Sequence, residues 1–222
     1  MAPVTSSDTL RGVPTQTRSP AGRARRSREE SQAATKAEVL RAAESVFLAK
    51  GYADAGVEEI AGLAGFTKGA VYSNFGSKEG LFLEVSTARD ERLSQPLIAG
   101  LAAAADLDGC LQALDRWYRE TIVKDRGWAL ATAEFTLVAL RKPDLHALLR
   151  ANHRQAVDSI AWLLASQMAA MGHELPTDVH VLAEVVVALG NGLAVTHAID
   201  DEVSADVFLP AFRALIGLAP GS

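Results

Sequence analysis

After residue 30 the large apolar residues recur three and four positions apart, and nowhere do they alternate with the period of two that strands between hairpin turns require. The chain is therefore restricted to an all-α fold, and the capping residues show where its helices start and stop. A capping box, Thr35 with Glu38, predicts a first helix running through Val39, Ala43, Val46, Phe47 and Lys50 to a stop at Gly51. A short helix over 57–64 ends at Gly65, and another over 67–75 ends at Gly76. Two short helices a few residues apart make a helix-turn-helix. Ser77 caps a fourth helix, which Pro96 should stop at the latest. Five more are expected near 108–124, 128–141, 144–171, 177–199 and 204–217.

Charge divides the 222 residues unevenly. The net charge is −5, yet residues 1–90 hold 12 Lys/Arg against 11 Asp/Glu while residues 91–222 hold 10 against 16. Residues 1–28 contain six Arg and a single acid, Asp8, among Pro, Ser, Thr and Gly. Such a segment cannot bury enough surface to offset its chain entropy. The expected organisation is a disordered basic arm over 1–30, a helix-turn-helix domain over 31–78 and a helical body over 79–222.

The N-terminus holds no apolar run of secretory-signal length, although its Arg/Ser-rich, acid-poor make-up also describes an organellar transit peptide. Cys110 is the only cysteine, so neither a disulfide framework nor a thiolate metal cluster can form, which suits a reducing, cytoplasmic setting. The most apolar stretch, 179–199, carries Glu184, His180, Asn191 and His197. A central Glu costs roughly 2–3 kcal/mol in a bilayer, so this stretch is read as a buried helix and no membrane partner is expected.

On the helix from Thr67 to Phe75, Val71 and Phe75 are four apart and face inward, turning Thr67, Lys68, Ala70, Ser73 and Asn74 outward. A face of small and polar groups can enter a major groove of DNA. Gly69 inside a helix costs about 1 kcal/mol relative to Ala, which is best explained if the backbone must approach something closely. Tyr72 can pack its ring on the protein and direct its hydroxyl to a phosphate. Lys78 lies in the first turn of its helix, where amide N–H groups and an ammonium could together hold an anion. Plainer readings exist for each: a half-buried core aromatic, a solvated surface charge, a tolerated glycine. Their joint spacing favours the functional one.

The segment Gly51 to Phe82, with its small residues, Val71-Tyr72 pair, Phe75 and Ser77-Lys78-Glu79, closely resembles the DNA-binding head of the TetR (tetracycline repressor) family over about residues 34–85. The resemblance implies a homodimeric, sequence-specific transcriptional regulator of cytoplasmic location: a repressor on a palindromic double-stranded operator, released by a small-molecule effector. It also implies that Thr67, Lys68, Ala70 and Ser73 face bases while Tyr72, Asn74 and Lys78 meet phosphates, with Gly69 part of the same DNA-binding surface. One departure stands out. At Ala55-Gly56 the family commonly places a hydroxyl that caps the second helix and contacts DNA, and Gly56 has none. Arg23, Arg25, Arg26 and Arg28 could compensate, or the arm could serve only solubility.

Motifs for other chemistry are missing: no Gly-rich phosphate loop, no His-Glu-x-x-His, no nucleophile elbow, and no cluster with zinc spacing, His146 and His153 standing alone seven apart. No cofactor, metal or enzymatic activity is expected. The rival reading is an all-helical small-molecule-binding protein or enzyme with a vestigial head. The helices at 177–199 and 204–217 should form the dimer, through Val179, Leu182, Val185, Val186, Leu189, Leu193 and Val195 with Leu209, Phe212 and Leu215. An apolar effector pocket is expected from Trp117, Tyr118, Trp128, Phe135 and Trp162, with His153, Asn191 and His197 as polar anchors.

Overall fold

The computed structural model describes the backbone of residues 20–218 and the side chains of residues 32–218. Residues up to Ala37 form one unit and residues from Glu38 onward another. All regular structure among the described residues is helical: α1 (Pro20–Asp54), α2 (Val57–Ala64), α3 (Lys68–Phe75), α4 (Lys78–Ala103), α5 (Leu107–Trp117) running into a π-helical turn (Tyr118–Ile122), α6 (Arg126–Ala139), α7 (Pro143–Ala170), α8 (Val179–Ile199), a 3-10 turn (Ala205–Val207) and α9 (Phe208–Leu215).

Two expectations about helix limits change. The first helix starts at Pro20, not at the Thr35 capping box, so residues 20–30 are helical and not the irregular arm expected there. Ala, Glu, Gln, Lys and Arg between 28 and 38 are strong helix formers and outweigh a local cap. The rest of that arm, residues 1–19, lies outside the described residues. Gly51 does break α1, with φ 76 and ψ −179, a left-handed conformation that a side chain disfavours. At the other limit, α4 runs through Pro96 to Ala103. Packing sustains the helix past the proline: Leu97 is buried and Gly100 lies so close to Ala113 of α5 that an added Cβ would stand 2.9 Å from its methyl.

Three clusters make up the core among the described residues. The first joins Val39, Val46 and Phe47 of α1, Ile60 of α2, Val71 and Phe75 of α3 and Leu81, Phe82 and Val85 of α4 to Ala131, Phe135 and Ala139 of α6. Head and body therefore share one core. Phe82 is its centre, stacked on Phe135 at 4.6 Å and Trp128 at 5.0 Å and meeting Phe47 edge-on at 5.0 Å. Such pairs contribute roughly 0.5–1.5 kcal/mol each beyond their burial. A second cluster gathers Leu111, Tyr118, Leu182, Phe208, Phe212 and Ile216, and a small third one Val157, Ala161 and Ala183.

Helix α8 is covered on one side only. Leu182, Ala183, His197 and Ala198 are buried, whereas Val181, Val185, Ala188, Gly192, Val195 and Ile199 are exposed or half-buried, Ile199 being exposed by 80% and Val181 by 55%. By length and hydropathy this helix could cross a membrane, as a core helix of a soluble protein also could. The expectation of a helix buried on all sides fails within one protomer, because α6 and α7 reach only part of its circumference. Helix α9 differs too. Phe212 turns into its own protomer's second cluster, with Leu209 and Leu215 packed against it.

Candidate nucleic-acid interface

Helix α3 is positioned by its inward pair, Val71 and Phe75, which hold it on α1, α2 and α4. Thr67 is its N-cap: the Oγ1 accepts from Ala70 N at 3.2 Å, so the hydroxyl closes the first turn while its own proton can still be donated outward. Lys68 is exposed, with Nζ donating to Glu58 of α2 at 2.8 Å. Gly69 is open: an added Cβ would meet nothing nearer than Thr67 Oγ1 at 3.8 Å. Packing inside the protein thus does not demand a glycine there. Ser73 is exposed, Tyr72 is 40% exposed, and Asn74 Nδ2 donates back to Ala70 O at 2.8 Å within its own helix.

Lys78 has partners within the protein. Its Nζ donates to Ala53 O at 3.1 Å and lies 4.6 Å above the buried Tyr52 ring. Burial pushes its pKa down, against the pull of Glu79, Asp54 and Glu134. Lys78 thus ties the end of α1 to the start of α4. Gly80, which carries no signal in the sequence, is fixed by a close approach: a Cβ there would stand 2.3 Å from the Phe75 carbonyl oxygen. The α2 N-cap, Gly56, makes no side-chain cap, and Glu58 and Glu59 fill the first turn in its place.

Groups far apart in sequence brace the head against the body. Arg89 of α4 is buried, paired with Glu44 of α1 and Asp125 ahead of α6, its guanidinium 4.9 Å from the Trp128 ring. Arg92 joins from outside, with Nη1 donating to Glu44 at 3.0 Å. Burial raises the pKa of Glu44, but Arg92 and Arg89 outweigh it and hold the carboxyl below its ordinary range. Glu134 of α6 accepts from Ala53 N at 2.8 Å beneath Gly51, and Lys142 donates to Glu79 at 2.9 Å. None of these pairs is visible in sequence spacing, since their partners lie 36 to 81 residues apart.

The residues expected to line an effector pocket do not converge. Trp128 and Phe135 belong to the core shared by head and body. Tyr118 and His197 meet in the second cluster, both buried, with Tyr118 Oη 2.9 Å from His197 Nε2 and its ring stacked on Phe208 at 4.1 Å. Trp117 lies beside them and donates from Nε1 to Leu93 O at 2.7 Å. Trp162 is 72% exposed, Asn191 is exposed, and His153 pairs with Glu184 at 2.8 Å on the surface. Aromatic side chains fill whichever core is nearest, and helix order along the chain does not reveal which that is. No group of three or more potential metal ligands occurs among the described residues.

Helices α2 and α3, with the outward face of α3 exposed, form a helix-turn-helix. Residues 39–85 match the model of "Bacterial regulatory proteins, tetR family". The fold is similar to that of a TetR-family transcriptional regulator from Streptomyces coelicolor, at 22% identity over 82% of this chain and 94% of that one, TM-score 0.58. It is also similar to the fatty acid degradation regulator FadR of Bacillus halodurans, at 19% identity over 82% and 95%, TM-score 0.63. A third likeness is to SmeT in its complex with triclosan, at 22% identity over 85% and 96%, TM-score 0.59. No curated protein matches the chain. The head thus carries the match to the TetR-family model over residues 39–85, and the rest of the chain shares the fold of these solved structures.

Proposed function

We propose that the chain works as a homodimeric repressor that grips a palindromic operator with two copies of α3 and lets go when a small, largely apolar effector enters the body. The observation that carries this reading is the outward face of α3. Thr67, Gly69, Ala70 and Ser73 present small or hydroxyl groups, and Gly69 leaves room that nothing within the protein uses. A helix with such a face can sink into a major groove with its backbone close to the base edges. Tyr72, exposed next to it, directs a hydroxyl toward phosphate. Lys68 reaches bases only by leaving Glu58, and Lys78, held on Ala53 O, orients the start of α4 beside the phosphate backbone.

The second copy comes from α8. Its outward residues Val181, Val185, Ala188, Gly192, Val195 and Ile199 follow a strict alternation of four and three, the spacing of a helix–helix seam. The small Ala188 and Gly192 at its middle permit close approach, and a two-fold pairing of this seam would set two α3 helices against successive half-sites. For the effector, the support is a buried polar pair in an apolar surround: Tyr118 and His197, at the π-helical turn. SmeT, of similar fold, is solved in complex with triclosan.

A gel-shift series with DNA flanking the chain's own gene tests the core of this reading. Ser73→Ala is expected to reduce discrimination between operator and single-base variants by about 1–3 kcal/mol. Tyr72→Ala is expected to weaken operator and unrelated DNA alike. Folded protein that prefers no sequence would refute the proposal. A hydrophobic ligand that raises the thermal midpoint should weaken operator binding by the factor by which operator weakens its own binding.

A further inference from the structure

A carboxylate stands where the helix-turn-helix would meet DNA. Glu58, in the first turn of α2, accepts from Lys68 Nζ at 2.8 Å, and Lys68 is the first residue of α3. The two side chains are 77% and 48% exposed. An ion pair this open to water contributes little to folding, because solvent screens it and two long side chains must be ordered to make it. Both groups are charged: the hydrogen bond between them holds the Glu58 carboxyl below its ordinary range and raises the pKa of the Lys68 ammonium. The neighbouring acid is held elsewhere, Glu59 lying 2.7 Å from Lys50 of α1. Of the two acids in that first turn, Glu58 is the one tied to α3.

The N-terminal residues of the second helix of a helix-turn-helix are the ones that reach base edges. Lys68 opens α3 beside Gly69, where a Cβ would meet nothing nearer than 3.8 Å, so the backbone there is free to come close. In the major groove a G·C pair shows the guanine acceptors N7 and O6 and, next to them, the cytosine N4 amino donor. A cation and a carboxylate side by side are the complement of that edge. We infer that the Glu58–Lys68 pair opens onto one G·C pair under each α3: the ammonium leaves the carboxylate for guanine N7 and O6, and Glu58 accepts from the cytosine N4 amino group beside them. Each charge exchanges one partner for another. An A·T pair serves less well, because thymine offers a single acceptor next to a methyl group. Where no amino group is in reach, the freed carboxylate faces acceptors and phosphates without a donor, so Glu58 rejects wrong sequences while Lys68 attracts the right one. The inference rests on the DNA-binding reading above and gives α2 a share in base readout, which the sequence pattern placed on α3 alone.

The test uses the full-length wild type and the full-length variants Glu58→Ala, Lys68→Met and Lys68→Arg. Each selects binding sites from duplex DNA with a randomised centre, and its affinity for the selected sequence, for single-pair changes of it and for unrelated DNA is then measured across salt. The wild type should select a G·C pair at one position under each α3 and bind roughly tenfold more weakly when that pair becomes A·T. Glu58→Ala should reduce this preference to within about twofold. The same variant should bind unrelated DNA more tightly, with a slope of log K against log salt steeper by up to about 0.9, because Lys68 is then free for a phosphate. Lys68→Met should lose the preference at the same position, whereas Lys68→Arg, whose guanidinium also spans O6 and N7, should keep it. Both positions are exposed, and circular dichroism checks that every variant is folded. If Glu58→Ala keeps the wild-type preference at every position, or loses it at a pair that Lys68→Met leaves unchanged, the inference is overturned and the DNA-binding reading stands. A Lys68-dependent position that selects A·T overturns it as well. If the wild type selects no sequence, the reading beneath the inference falls and the inference with it.

Discussion

Arg89→Ala should lower the stability of the folded chain by about 3 kcal/mol, because it strips the buried cation from two carboxylates that cannot reach water freely. Glu44 would keep Arg92, which approaches from the exposed side, but Asp125 would be left without the guanidinium that pairs with it. In a chain of this size the change corresponds to a drop in thermal midpoint of roughly 6–12 °C. Changing Glu44 to Gln and Asp125 to Asn beside Arg89→Met should recover most of that stability, since the buried groups are then neutral and the remaining cation, Arg92, is exposed to water. A midpoint within about a degree of wild type for Arg89→Ala would show that the network carries no net stability.

Acid should act on the same network. The Glu44 carboxyl titrates below its ordinary range when folded, so its stabilising contribution is complete above the unfolded pKa and disappears as pH falls through the lower folded value. Glu44→Gln should therefore flatten the acid limb of a stability-against-pH curve. The network also joins α1 of the head, α4 and the turn that follows the π-helical segment. An effector that moved Tyr118 would reach Asp125 within a few residues, so variants of Arg89 should alter effector release as well as stability.

The second large effect is expected at the α8 seam. Val185→Glu with Val195→Glu should convert the proposed dimer to a monomer and weaken operator binding by on the order of 10²–10⁴-fold, the gain that two linked half-sites provide over one. These valines are 39% and 40% exposed in the protomer, so the charged variant should keep its fold, whereas Leu182→Glu on the opposite side should unfold it. Sedimentation of the double variant as a dimer at micromolar concentration would exclude α8 as the interface. Phe212, by contrast, is buried at 4% exposure, and its replacement should cost stability before it touches association.

Much of the head was legible from sequence because its signals act over three or four residues. Thr67 and Ser77 cap by bonding the N–H three positions on, Gly65 and Gly76 end helices through their own backbone, and Val71 and Phe75 share a face because a helix repeats every 3.6 residues. Those interactions close within a turn of chain, so the order of residues contains them. Ion pairs, shared cores and uncovered faces close through space. Glu134 on Ala53, Arg89 between Glu44 and Asp125, and Lys78 on Ala53 join residues 25 to 81 apart, and their meeting depends on how every intervening helix packs.

The aromatics illustrate the same limit. Their composition signalled a rich body, but Trp128 and Phe135 went to the head core, Tyr118 to a buried pair with His197, and Trp162 to the surface. For α8 the sequence determined that the helix is apolar on nearly all sides. Only the packing of α6 and α7 decided which stripe, Val181 to Ile199, stayed uncovered, because burial depends on the neighbours a face meets and hydrophobicity only makes that burial favourable.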